Sequence, residues 1–417
     1  MSTRNQIATY VPKGSLESVE DRNVVPRGPD AREPTTEELA DLVAALQFLE
    51  GAQSRPGIMA TVPDELIANL QTFMTTVMAP TEGRLSESSN QTLEAKFDSH
   101  DILGWAGSFF SWWRKLKPFT FNDPGAPEAL PANTRIALFG DWGTGLYGAP
   151  ECAKSIAKNG KYDVVLHLGD VYYSGTASEI KDRFVGMWPK VPGAKNRGLN
   201  GNHEMYTGGV AYFDTVQREF GQNSSYFALQ NPHWILACLD TAYVDHDLHG
   251  NQAAWVKALA DASPEKKLVL FSHHQPFSLL DSQGPNLIKK LAPLFDSKRI
   301  YAWYWGHEHH CILYKPHALY GLRGRCVGHG GFPYFREKKL LGGTAPKTPE
   351  WKSLESRNLV PSAKILDGEN NYVDDQPGDY GPNGYMTLEF DGDELFEIVH
   401  MPDGTEVWNQ SILKLEA

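Results

Sequence analysis

Five short stretches of the chain gather residues that can do chemistry: GDWG with Asp141, GDVYYSG with Asp170, Tyr172 and Tyr173, GNHE with Asn202, His203 and Glu204, SHHQPF with His273 and His274, and GHEHH with His307, His309 and His310. Two carboxylates, an amide oxygen and several imidazoles form a mixed oxygen and nitrogen donor set. Such a set suits iron, zinc or manganese rather than calcium. In an extended chain, residues two apart face the same side. If Glu308 faces one way, His307 and His309 both face the other and can reach two neighbouring ions. A carboxylate such as Asp170 can bridge two ions roughly 3.5–4 Å apart, the separation used for in-line phosphoryl displacement. Taken singly, each stretch is weak, because Gly-Asp after a strand is often only a turn and buried histidines are common. Their order along the chain, four of them directly after an apolar run, is the specific signal.

The elements that must position them are visible from Arg135 onward. Short apolar runs, RIALF (135–139), DVVLHL (163–168), WILACLD (234–240), KLVLF (267–271) and IYAWYW (300–305), alternate with helical patterns such as NQAAWVKALADA. That alternation predicts an α/β layered domain. Ligand sites in open α/β sheets lie beyond the carboxyl ends of the strands, which lets residues distant in sequence converge. After about residue 326 the pattern becomes strands and loops. A polar, Pro- and Gly-rich stretch over 330–384 reads as a rim that selects substrate. YMTLEF and LFEIVHM then predict strands of a second sheet packed on the first.

Upstream the texture differs. Residues 1–34 are polar and read as a disordered arm. Thr35 and Glu38 form a capping box ahead of Leu39, Leu42, Val43, Leu46 and Leu49, with Gly51 as the stop. A second helix is expected after Pro63, from Leu66, Ile67, Leu70, Met74 and Val77. The aromatic segment 102–117, with Trp105, Phe109, Trp112 and Trp113, reads as packing against the main domain in preference to a membrane interface. The expected organisation is therefore an arm at 1–34, a helical and aromatic extension with linker at 35–130, and a catalytic domain at 131–410.

The 417 residues are 41% hydrophobic and carry a net charge of −12, which argues against a nucleic-acid footprint. Cys152, Cys238, Cys311 and Cys326 form no C-x-x-C pair and are too few for a disulfide scaffold. The N-terminal stretch has no apolar core of a secretory leader, and no run reaches the roughly 18 apolar residues of a membrane span. A cytoplasmic protein is the expectation.

The five stretches together resemble the calcineurin-like metallophosphoesterase superfamily, and within it the purple acid phosphatases of the single-domain tartrate-resistant type. The resemblance runs from about residue 133 to 330, with strands of the same domain to about 405, and leaves out the first 130 residues. It implies an α/β fold, a four-layer αββα sandwich of two mixed β-sheets flanked by helices, here with an N-terminal helical extension. Many members of the superfamily write the first motif Asp-x-His, where this chain has Gly143. The purple branch lacks that histidine and uses Gly-Asp-x-x-Tyr in the second motif, which here gives Tyr173. A phenolate is a hard anionic ligand that favours Fe(III).

The resemblance thus implies a first metal on Asp141, Asp170, Tyr173 and His309, and a second on Asp170, Asn202, His273 and His307. The pair would be Fe(III) with a divalent Fe, Zn or Mn ion, or two Mn. A hydroxide bridging them would attack phosphorus in line. His203 would serve the phosphate or the leaving oxygen, and Glu204 would orient an imidazole. His273 and His274 compete for one position, with His273 preferred, and His310 has no family role. Members usually carry a further histidine near the leaving group, where this chain has Ser282 beside Asp281. The expected activity is hydrolysis of a phosphomonoester, carried by a phosphorylated small molecule or a phosphoprotein. A phosphodiesterase or nucleotide hydrolase is the alternative. A non-catalytic member that binds a partner or membrane is the alternative of another class.

Overall fold

A computed structural model describes residues 123–416 apart from 144, 245, 282–283 and 374–375. The expected arm, both N-terminal helices, the aromatic segment 102–117 and Ser282 lie outside the described residues.

Six strands form one mixed sheet: β2 (Thr134–Phe139), β3 (Val164–His167), β4 (Lys195–Gly198), β13 (Tyr385–Asp391), β14 (Glu394–His400) and β15 (Glu406–Ser411), in the order β15-β14-β13-β2-β3-β4. Within it β2, β3 and β4 are parallel and the remaining pairs antiparallel. Nine strands form the other: β1 (Glu128–Ala129), β5 (Phe227–Gln230), β6 (Trp234–Cys238), β7 (Lys267–Ser272), β8 (Ile300–Trp305), β9 (Cys311–Tyr314), β10 (Arg323–Val327), β11 (Glu350–Leu354) and β12 (Ala363–Asp367). Their order is β1-β5-β6-β7-β8-β10-β9-β12-β11, with β6, β7, β8 and β10 parallel.

The apolar runs are continuous because the central strands are covered on both faces. Alternate residues serve different cores. In β2, Ile136 and Leu138 enter the core between the sheets, whereas Ala137 and Phe139 enter a core beneath helices. In β7, Val269 and Phe271 face the other sheet and Leu268 and Leu270 face outward to a third core. Each Val, Leu, Ile or Phe among them contributes roughly 1.5–3 kcal/mol by leaving water.

The helices complete the outer layers. Helix α1 (Ala149–Asn159) buries Ala149, Cys152, Ala153 and Ile156, the i, i+3, i+4, i+7 stripe of a one-faced helix, and ends where the Gly160 N–H reaches Ile156 O. It packs outside the six-stranded sheet, as do Tyr212, Phe213 and Val216 from the helix Val210–Phe220. Val256 and Ala260, from the helix Gln252–Ala262, lie outside the nine-stranded sheet. The result is the expected pair of mixed sheets between helices, but the C-terminal strands do not form the second one: β13 pairs with β2, so YMTLEF and LFEIVHM join RIALF and DVVLHL in one sheet while the later apolar runs build the other. Among the described residues no helix is long and apolar enough to cross a membrane.

The stretch 330–384 corrects the sequence reading. It is more than a rim, because β11 and β12 pair antiparallel and extend the nine-stranded sheet from β9. The segment is held by the buried ion pair of Arg336 and Asp367, with Nε 2.6 Å from Oδ1. Strand β11, EWKSL, shows little of its pattern because it is a partly exposed sheet edge with only Leu354 buried.

Candidate metal centre

Five strand ends deliver the centre. Asp141 follows β2, Asp170 follows β3, Asn202 and His203 open the short helix Asn202–Met205 after β4, His273 follows β7, and His307 and His309 follow β8. Both sheets therefore contribute at their carboxyl ends, as the topology requires. Four of these residues turn through the left-handed backbone region: Asp141 (φ 57°), Asp170 (φ 71°), His307 (φ 66°) and His309 (φ 54°). A side chain there costs of the order of 1–2 kcal/mol, which the surrounding structure must offset. Glycines clear the space. A Cβ on Gly306 would lie 2.5 Å from Asp141 Oδ2, and one on Gly201 would collide with Asp170 Oδ1.

Two ligand groups result, Asp141 with Asp170 and His309, and Asp170 with His273 and His307. In each, the donor atoms lie within 4.8 Å of one another, and Asp170 is common to both. His273 Nε2 lies 3.3 Å from Asp170 Oδ2, 3.2 Å from Asn202 Oδ1 and 3.2 Å from His307 Nδ1. Its Nδ1 is fixed on the Leu168 carbonyl at 3.0 Å, so Nε2 is the nitrogen turned to the centre. On the other side, His309 Nε2 lies 3.4 Å from Asp141 Oδ1. The Asp141 carboxylate also accepts the His307 backbone N–H at 3.0–3.1 Å.

The electrostatics favour a cation. Asp141 is fully buried, and burial pushes its pKa up. Burial also works to raise Asp170, but the charges of His273 and His203 outweigh it and hold the carboxyl well below the usual range. His307 is held well below the ordinary imidazole value by burial and then by the neighbouring His274 and His273. Two buried carboxylates and ring nitrogens meeting face to face are costly arrangements that bound divalent or trivalent ions would stabilise. The donor set thus fits a binuclear metal centre.

Of the residues expected from the sequence, Asp141, Asp170, Asn202, His203, His273, His307 and His309 come together. His203 is held by Nδ1, which donates to the Tyr173 carbonyl, and its Nε2 lies 4.0 Å from Asp170 Oδ2. The tyrosine differs. The phenol against the centre belongs to Tyr172, whose hydroxyl donates to Asp170 Oδ2 at 2.9 Å and lies 2.5 Å from His309 Nε2. Tyr173 engages through its N–H to Glu179 Oε1 (2.6 Å), its carbonyl to His203, and its ring beneath Arg183. Both tyrosines are buried and lie in the turn 172–174 that follows Asp170.

Glu204 also takes a role other than the expected one. Its carboxylate accepts the backbone N–H groups of Gly201 (2.5 Å), Asp170 (3.2 Å) and Val171, tying two ligand loops together. Its pKa is pushed up to about 8 by burial and then by Asp170. His274 stands beside the centre, with Nδ1 3.1 Å from Thr241 Oγ1. His310 turns away to the Glu308 carbonyl and the Tyr334 ring.

Three participants went unremarked in the sequence. Phe332 walls the centre, with its ring 4.5 Å from Tyr172 and 5.2 Å from His309. His246 lies beside His274 and His307, and Thr241 holds His274. A signal for Thr241 was present, since the run WILACLD ends on Asp240 directly before it, as the other strands end on their motifs.

The family model for calcineurin-like phosphoesterases matches residues 134–311. The chain is 27% identical over 219 residues to tartrate-resistant acid phosphatase type 5 of Sus scrofa, a match that spans 42% of this chain and 64% of the pig protein. Among solved structures, the anchor protein of the Plasmodium inner membrane complex superposes with a TM-score of 0.50 at 12% identity, over 67% of this chain and 88% of that one. A purple acid phosphatase from yellow lupin seeds gives 0.49 at 17% identity, over 70% of this chain and 55% of the lupin chain. At 12% identity the Plasmodium structure speaks to the fold alone.

Proposed function

From a chain that carries a calcineurin-like phosphoesterase domain of the purple acid phosphatase type, we propose that it is a hydrolase of phosphoric esters, acting first on monoesters. The observation that carries this reading is the pair of ligand groups joined through Asp170, with His203 alongside. Asp141, Asp170 and His309 would hold one metal, and Asp170, Asn202, His273 and His307 the other. When bound, the two ions supply Lewis acidity and a water of lowered pKa for in-line attack on phosphorus.

The rest of the chemistry falls to the chain's own groups. With Nδ1 of His203 committed to the Tyr173 carbonyl, Nε2 is the nitrogen available to an ester oxygen. Glu204 keeps the Asp170 and Asn202 loops at one spacing by gathering their amides. Phe332 and the Tyr172 ring exclude water from the His309 side. The name of the pig relative, an acid phosphatase, supports a monoester substrate on a phosphorylated small molecule or phosphoprotein. A phenolate from the Tyr172–Tyr173 pair supports Fe(III) in one site, with divalent Fe, Zn or Mn in the other.

The test is turnover of p-nitrophenyl phosphate against bis(p-nitrophenyl) phosphate by the full chain, with elemental analysis and a visible spectrum on the same sample. The expected result is iron, a violet absorption band, and monoester turnover at least about tenfold faster, a difference of about 1.4 kcal/mol in the barrier. Loss of the band in Tyr172→Phe alone would follow the geometry, and loss in Tyr173→Phe alone the family motif. A colourless protein with two manganese or zinc ions would overturn the tyrosinate assignment. Faster diester turnover would replace the monoester reading.

A further inference from the structure

One imidazole beside the centre is used neither as a ligand nor by the chemistry above. His246 sits in the connection between β6 and the helix Gln252–Ala262. Its ring centroid lies 4.0 Å from that of His274 and 5.0 Å, edge-on, from that of His307. One nitrogen from each of the three falls within 4.8 Å of the others. His246 also shares the left-handed backbone of the ligands, with φ 56°.

The connection is built to hold it there. Asp240 Oδ1 accepts the N–H groups of Ala242 (3.1 Å) and Tyr243 (3.0 Å), which bends the chain as it leaves β6. The Asp247 N–H closes on Val244 O at 2.9 Å, making a tight turn around His246. Lys290 Nζ fastens that turn from the neighbouring helix, 2.9 Å from Asp247 Oδ2 and 2.8 Å from Leu248 O. His274, behind His246, has Nδ1 engaged by Thr241, so Nε2 is the nitrogen it can offer.

A third metal ion on this trio would have to share His307, which turns Nδ1 to His273 at 3.2 Å and already belongs to the Asp170 group. A half-buried imidazole at the open edge of a centre that receives phosphate is suited instead to donate a hydrogen bond to the anion. We propose that His246, backed by His274, is a substrate-contacting residue that binds a phosphoryl oxygen of the ester on the His307 side of the centre, opposite the Tyr172 side served by His203.

This rests on the phosphoester reading, and its test needs no turnover. Inorganic phosphate binding to the metal-loaded full chain is measured by calorimetry for wild type, His246→Ala and His246→Gln, with metal counted in each by elemental analysis. Expected are an unchanged metal content, phosphate affinity weakened about tenfold in His246→Ala, and partial recovery in His246→Gln, whose amide can donate. In steady state the same loss would appear in KM for p-nitrophenyl phosphate more than in kcat. Loss of one metal equivalent in His246→Ala would overturn the proposal in favour of a metal site. Phosphate affinity within twofold of wild type, with metals retained, would overturn it outright. His246-dependent phosphate binding by a protein that turns over no ester would leave the contact standing and remove the hydrolase reading.

Discussion

Asp170 faces His273, His203 and the Tyr172 hydroxyl with one carboxylate, and its own N–H is held by Glu204. A group that would be shared by two metals should affect both when it is changed, whereas His203 would sit beside them. The two substitutions should therefore separate. Asp170→Asn is expected to lose bound metal and to lower kcat/KM by more than the roughly 10–100-fold that outer-sphere changes cost. His203→Asn is expected to keep both metals and to lower kcat by about 10²–10⁴-fold. Elemental analysis with steady-state kinetics checks the split, and a fully metallated, active Asp170→Asn would refute the bridging role. Asp170 was legible in the sequence because it follows an apolar strand, where topology forces convergence, and His203 was legible from its GNHE motif alone, since β4 is not apolar. His246 was not, because its place depends on hydrogen bonds from Asp240 and on a turn pinned by Lys290, contacts that no spacing records. Nor was the choice between Tyr172 and Tyr173, since the inward face of a two-residue run is set by the backbone after Asp170 and not by the residue types.

At the scale of elements, strands buried on both faces announced themselves and edge strands did not. Strands β7 and β8 are near-continuous apolar runs because one side meets the other sheet and the other side meets helices. Strand β4, KNRG, has no such run. It is the edge of the six-stranded sheet, and its Arg197 is neutralised by Glu128 from β1 of the other sheet, at 2.6 Å. A second link between the sheets lies inside the core. Arg325 of β10 and Glu397 of β14 are fully buried, with Nε 2.7 Å from Oε1, and the Tyr304 hydroxyl of β8 donates to the same carboxylate oxygen at 2.7 Å. Removing one partner strands the other charge away from water. Glu397→Gln is therefore expected to lower unfolding free energy by about 3–5 kcal/mol. The double change Arg325→Met with Glu397→Leu should restore most of the loss. Urea unfolding of the three proteins checks this, and a single substitution costing less than about 1 kcal/mol would show that the pair is hydrated or relaxes.

Across the whole molecule, the centre lies where the two sheets, joined through one core, expose their carboxyl ends together, so the segments that close that junction belong to the stability of the site. His329 is one of them. It follows β10, and its carbonyl accepts the Gly384 N–H at 2.9 Å and the Asn383 side chain at 3.3 Å, joining the 330s to the approach of β13. Its ring is fully buried, and burial, then the nearness of His310, lowers its pKa to about 3. The folded protein thus holds this imidazole neutral, while the unfolded chain protonates it below about 6.5. Between those values the unfolded state binds the extra proton, so this contribution to stability is complete above pH 6.5 and falls as pH drops toward 3, by about 1.4 kcal/mol per unit. His329→Met, which fills similar space without a titrating group, should lack that dependence. Its stability relative to wild type should rise by about 1.4 kcal/mol for each pH unit descended below 6.5, read from urea unfolding of both proteins in matched buffers. Parallel pH dependences would mean that His329 takes up its proton in the folded state, and the acid sensitivity of the fold would then arise at other groups, the buried imidazoles of His167 and His310 among them.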